Sequence, residues 1–145
     1  QIESVIDRPV AYDLKAACPR VADAHALFLF TTDGLSRAST KIISVILTTY
    51  NQPEWLAKVL WGYASQTHPD FEVVVADDGS DDRTTEVIDR VRHQTDLKIE
   101  HVWHEDDGFR KCTILNHAIS RSSGDYLLFS DGDCVPRKTF VANHH

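Results

Sequence analysis

Ile42-Ile43-Ser44-Val45-Ile46-Leu47-Thr48-Thr49 is a β-branched, nearly continuous apolar run, the composition of a strand buried on both faces. Tyr50-Asn51-Gln52 follows as a turn, and Pro53 suits the first position of a helix. Leu56, Val59, Leu60 and Tyr63 then recur at helical spacing. Phe71 to Ala76 is a second buried strand, and it runs into Asp77-Asp78-Gly79-Ser80-Asp81-Asp82, a turn in which Ser80 or Asp81 can cap a helix. Thr84, Val87, Ile88 and Val91 give that second helix its inward stripe. Lys98 to Trp103 predicts a third strand and His104 to Gly108 a loop. A third helix is expected over Arg110 to Ser122, with Leu115, Ala118 and Ile119 inward and Gly124 as its C-cap. Tyr126 to Ser130 is a fourth apolar strand, closing on Asp131-Gly132-Asp133.

Strands alternating with helices imply right-handed βαβ crossovers and a mostly parallel sheet. The fold class expected is therefore α/β: a three-layer α/β/α sandwich, Rossmann-like, occupying residues 41–145. In such sheets ligands bind beyond the carboxyl ends of the strands. Thr48 to Asn51, Asp77 to Asp82, His104 to Gly108 and Asp131 to Asp133 all fall at that edge. Residues 1–40 read as an N-terminal extension, with a short helix around Leu14, Ala17 and Cys18 and a strand over Ala26 to Thr31. The chain lacks an initiator Met, and Phe140 to His145 carries no helix-ending signal. We therefore expect a segment of a longer protein, incomplete at its C-terminus.

The 145 residues suit one domain, and 42% hydrophobic with 26% charged content fits a globular chain with a real core. A net charge of −7 and a pI near 5.5 argue against a nucleic-acid partner. An acidic chain still binds an anionic nucleotide when a metal supplies positive charge. Cys18, Cys112 and Cys134 form no C-x-x-C pair and suggest neither a disulfide framework nor a zinc knuckle, so a reducing compartment is expected. No stretch is long and apolar enough to span a bilayer.

Asp131 and Asp133 place two carboxylates one residue apart at the strand end, a pattern suited to Mn²⁺ or Mg²⁺ shared with phosphate oxygens. Asp-Gly is also an ordinary turn, so the weight comes from the clusters beside it. Asp78 can accept from a base N–H, and Tyr50 can stack on a base or simply be a half-buried aromatic. Arg110 and Lys111 can meet a diphosphate at a helix N-terminus or pair with Glu105, Asp106 or Asp107 at the surface. His101, His104, Glu105 and Asp107 suggest zinc only weakly, because no third nitrogen or sulfur ligand is suitably spaced.

Together, Val45 to Asn51, Asp77 to Ser80, Asn116 to Ile119, Gly124 to Tyr126 and Asp131 to Asp133 resemble the family 2 glycosyltransferases of GT-A fold. His101 to Lys111, followed by Phe129 to Pro136, is most similar to the subgroup typified by the N-terminal transferase domain of bacterial chondroitin polymerase. The resemblance covers about residues 41–145. It implies that Thr49, Tyr50 and Asp78 hold the nucleotide base, Arg110 lies near the diphosphate, Asp131 holds the ribose and Asp133 the metal. It also implies that acceptor-binding residues and the carboxylate base of inverting transfer lie in a later half of the family's domain.

The expected function is donor binding for metal-dependent, inverting transfer of a sugar from a UDP-sugar to a glycan hydroxyl, in polysaccharide biosynthesis. Residues 1–145 alone are expected to be inactive, the base lying beyond residue 145. The expected location is cytoplasmic, with peripheral association of the full protein at the inner membrane face. The alternative is a non-catalytic nucleotide-binding or interaction module derived from such a domain. A nucleotidyltransferase would want a Gly-rich basic loop after the first strand. A haloacid-dehalogenase-type phosphatase would want Asp where Thr48 and Thr49 stand.

Overall fold

The computed structural model describes residues 42–145; the helix and strand expected within residues 1–40 lie outside them. The elements run β1 (Ile43–Thr49), α1 (Pro53–Ala64), β2 (Phe71–Asp77), α2 (Asp82–Gln94), β3 (Ile99–Trp103), α3 (Lys111–Arg121) and β4 (Tyr126–Asp131), then a 3-10 turn at Ala142–His144. The strands form one sheet in the order β3-β2-β1-β4, and every pairing is parallel.

Because side chains alternate across a strand, β1 feeds two cores. Ile43, Val45 and Leu47, with Val73 and Val75, meet Leu56, Val59, Leu60 and Tyr63 of α1 and Val87, Ile88 and Val91 of α2. Ile46, Val74 and Ala76 meet Ile114 and Ala118 of α3 on the opposite face. The stripes expected for α1 and α2 are thus buried in full. On α3 it is Ile114 that is fully buried with Ala118, while Leu115 and Ile119 are only partly covered. β3 is an edge strand with no fully buried residue.

Gly124 does not act as the expected C-cap. Ser122 caps α3 in an extended conformation. Gly124 instead lets two backbones approach: a Cβ there would sit 2.5 Å from Ser44 Oγ and 2.7 Å from Ile42 O. Its N–H donates to Ser44 Oγ at 2.8 Å, so the glycine seats the chain against the start of β1.

The layering positions the site. α1 and α2 cover one face and α3 the other, so the chain leaves β1 over one face of the sheet and reaches β4 over the opposite face. That divergence opens a crevice between the carboxyl ends of two neighbouring strands, where Thr48 pairs in register with Asp131.

Candidate nucleotide-sugar site

At the β1–β4 junction, Gly132 N–H donates to Thr48 O at 2.8 Å. Thr48 Oγ1 donates to Asp131 Oδ1 at 2.9 Å, and Lys111 Nζ donates to the same oxygen at 2.8 Å. The ammonium of Lys111 and then the hydroxyl of Thr48 hold the Asp131 carboxyl below the usual carboxylate range. A Cβ on Gly132 would lie 2.6 Å from Thr48 O, so the middle residue of Asp131-Gly132-Asp133 must be small. Asp133 is exposed. Desolvation, then the hydrogen bond to Asp133, pushes the neighbouring Cys134 thiol up.

The two aspartates ending β2 divide their work. Asp77 is fully buried; it accepts Ser80 N–H at 2.8 Å and lies 2.9 Å from His101 Nε2. Asp78, 7% exposed, has His104 Nε2 at 2.7 Å from Oδ1 and accepts Arg110 N–H on Oδ2 at 3.0 Å. A carboxylate only accepts, so each imidazole carries its proton on Nε2. Gly79 has φ +96°, and a Cβ there would meet Asp106 Cα at 2.6 Å. The 104–110 loop therefore lies directly on the β2 turn.

The turn after β1 is tied to the same place. Asp78 N–H donates to Thr49 O at 3.1 Å. Asn51, in the left-handed region at φ 47°, donates its N–H to Ser80 Oγ at 2.9 Å and accepts Asp81 N–H on Oδ1 at 3.0 Å. Ser80 is thus a tether, and the N-cap of α2 is Asp81, which accepts Arg83 N–H. Tyr50 donates its hydroxyl to Asp106 Oδ2 at 2.9 Å. That hydrogen bond raises the phenol's pKa, so the hydroxyl remains a donor across neutral pH.

These segments wall an open cleft of about 500 Å³ lined by Thr48, Thr49, Tyr50, Gln52, Asp78, Gly108, Phe109, Lys111, Ile114, Asp131, Gly132 and Asp133. Five residues singled out from sequence meet there: Thr49, Tyr50, Asp78, Asp131 and Asp133. The sixth, Arg110, contributes its backbone to Asp78, while its guanidinium pairs with Asp107 at 2.8 Å. Lys111 is the basic side chain that reaches the cleft. Gln52, Phe109 and Ile114 also line it without having been singled out; for Phe109, 87% exposed, an apolar residue in a polar loop is the available signal. Thr49 Oγ1 is buried with no hydrogen-bond partner, an unusual state for a hydroxyl. Asp131 and Asp133 offer the hard oxygen donors that Mn²⁺ or Mg²⁺ prefers. Among the described residues no three His, Cys, Asp or Glu side chains converge on a metal position, so phosphate and water oxygens would complete the shell.

The family model for "Glycosyl transferase family 2" matches residues 44–144. The chain belongs to glycosyltransferase family 2. It is 32% identical over 111 residues to the poly(ribitol-phosphate) beta-N-acetylglucosaminyltransferase TarS of Staphylococcus aureus, a match covering 70% of this chain and 19% of TarS. It is 30% identical over 103 residues to the chondroitin synthase of Escherichia coli, covering 70% of this chain and 15% of that protein. The structure of TarS residues 1–349 in complex with UDP-GlcNAc superposes with a TM-score of 0.60 at 31% identity, covering 71% of this chain and 30% of the other. That of the mannosyltransferase PcManGT from Pyrobaculum calidifontis, in complex with GDP-Man and Mn²⁺, gives 0.63 at 29% identity, covering 71% and 31%. The α/β architecture is thus the GT-A fold of these glycosyltransferases, and the chain spans less than a third of each. No described helix is long and apolar enough to cross a membrane.

Proposed function

We propose that this chain carries the donor-binding half of a metal-dependent, inverting glycosyltransferase that moves a sugar from a UDP-sugar to a glycan hydroxyl. The observation that carries the reading is the convergence of Thr49, Tyr50, Asp78, Asp131 and Asp133 in one cleft at the β1–β4 switch point. The nucleotide-sugar complexes of TarS and PcManGT support it.

In this reading Tyr50 stacks on the base and Asp78 accepts a base N–H. Two hydrogen bonds already occupy Asp78, yet a carboxylate has about four lone-pair sites, so acceptor capacity remains. Asp131 takes a ribose hydroxyl. Asp133 holds the divalent cation, which when bound neutralises charge on the leaving diphosphate. Lys111, at the N-terminal end of α3, meets the phosphates. The acceptor hydroxyl attacks the anomeric carbon, displacing the nucleoside diphosphate, and loses its proton to a carboxylate beyond residue 145.

Calorimetry with UDP tests the reading. Binding should require Mn²⁺ or Mg²⁺ and weaken by at least about tenfold in Asp133→Ala, as loss of a metal ligand should cost no less than loss of its supporting partners. Equal UDP affinity in the presence of chelator would remove the metal from the site.

A further inference from the structure

We propose that Lys111 is a built-in counter-ion for Asp131 which a nucleotide's diphosphate draws away, so that the cation site becomes competent only when nucleotide is present. The inference rests on the nucleotide-sugar reading above and adds an order and a residue to it.

The geometry sets up a competition. Lys111 Nζ lies 2.8 Å from Asp131 Oδ1, the oxygen that also accepts from Thr48. A divalent cation on Asp133, which lines the same cleft, meets an ammonium already there. Asp133 is the ligand the reading above gives that cation, and no triad of metal-binding side chains exists among the described residues. Since Mn²⁺ and Mg²⁺ want about six oxygens, the protein alone offers a poor site.

Charge decides what releases the lysine. The cleft-lining side chains include three carboxylates, Asp78, Asp131 and Asp133, against one basic group, Lys111. Lys111 is also the first residue of α3, whose first turn has no acidic residue and whose N-cap, Arg110, makes no side-chain cap. A cation at that end of a helix is unfavourably placed against the dipole, whereas an anion is favoured. The Lys111–Asp131 pair is half-exposed, with side-chain accessibilities of 40% and 61%, so it is weak enough to exchange. The lysine's flexible stem lets its point charge move to phosphate oxygens without moving the helix. Those oxygens then compensate Lys111 and supply ligands that the protein lacks, while Asp131 is freed for the ribose.

The test measures binding, not turnover. Mn²⁺ affinity is measured by calorimetry and by water-proton relaxation, without and with UDP, for wild type, Lys111→Met and Lys111→Arg. UDP affinity is measured in chelator for the same proteins. Lys111→Met should bind Mn²⁺ alone roughly two- to fivefold tighter than wild type, the size expected for removing a half-exposed competing charge. It should bind UDP in chelator more weakly, and the factor by which each ligand enhances the other should shrink equally from both sides. Lys111→Arg, which keeps the charge, should follow wild type. Unchanged or weaker Mn²⁺ binding by a Lys111→Met protein that melts like wild type would overturn the proposal. Failure of wild type to bind UDP with Mn²⁺ present would instead overturn the nucleotide reading, a separate and visible result.

Discussion

Asp78 grips both ends of one loop: its Oδ1 is 2.7 Å from His104 Nε2 and its Oδ2 accepts the Arg110 N–H at 3.0 Å. The same carboxylate faces the cleft. Its role in the fold is therefore to hold the 104–110 loop, whatever it does for a base.

Asp78→Ala removes both anchors and leaves a backbone N–H without its partner. The expected loss of stability is about 1–3 kcal/mol, read from urea unfolding. Asp78→Asn keeps one acceptor oxygen and should lose less. The freed loop should also open to trypsin at Arg110. Equal cleavage rates in wild type and Asp78→Ala would mean that other contacts fix the loop.

Gly132 and Gly108 make a controlled comparison. A Cβ on Gly132 would press 2.6 Å from Thr48 O at the β1–β4 junction, whereas one on Gly108 would meet nothing within 4 Å, although φ there is +75°. Gly108→Ala should cost about 1–2 kcal/mol from the left-handed backbone alone. Gly132→Ala should force Thr48 and Asp131 apart, so that metal-supported UDP binding falls even where the protein remains folded. A Gly132→Ala protein with wild-type UDP affinity would show that the junction relaxes at no cost to the site.

Most of the frame is legible in the chain because local pattern and global fold agree. The run from Ile43 to Thr49 has no solvent-facing alternation, and Leu56, Val59, Leu60 and Tyr63 leave α1 one possible inward stripe. α3 is less clear: Ile114, Leu115, Ala118 and Ile119 make a wide apolar arc, and which of them is buried depends on how the helix sits over Ile46, Val74 and Ala76. Five of six candidate site residues meet because strand ends in a parallel sheet must share an edge. The choice between adjacent Arg110 and Lys111 was not legible, since it depends on where the helix begins. Arg110 falls at the N-cap and Lys111 one residue on, which turns only the lysine toward Asp131.

Glu72 links the start of β4 to the sheet at the end remote from the cleft. It accepts Ser44 Oγ and Ser123 N–H, both at 2.6 Å. Burial pushes its pKa up, but the hydrogen bonds from Ser44 and Ser123 outweigh it, and the net shift is below the ordinary 4.5. A depressed carboxyl stabilises the fold above its unfolded value, and that contribution is lost as pH falls through the lowered folded value. Glu72→Gln should therefore melt below wild type at pH 7, by the equivalent of about 0.5–1.5 kcal/mol. The gap should close under acid conditions as wild-type Glu72 takes up its proton. A gap that persists unchanged through acid would assign the loss to packing, not charge.

Tyr50 combines two roles that substitution can separate. Its hydroxyl ties the turn after β1 to Asp106, while the residue, 48% exposed, lines the cleft. If the ring is the platform for a base, Tyr50→Phe keeps the stacking surface and removes only the tether. Tyr50→Ala removes both. Stacking of a base on an aromatic ring is worth about 1–3 kcal/mol, while a single exposed hydrogen bond contributes about 0.5–1.5 kcal/mol or less. UDP should accordingly bind Tyr50→Phe within roughly tenfold of wild type, and Tyr50→Ala more weakly still by about 1–3 kcal/mol. Asp106→Ala, which breaks the tether from the other side, should match Tyr50→Phe and not Tyr50→Ala. If Tyr50→Phe and Tyr50→Ala lose UDP affinity equally, the ring carries nothing and the residue serves only to pin the 104–110 loop.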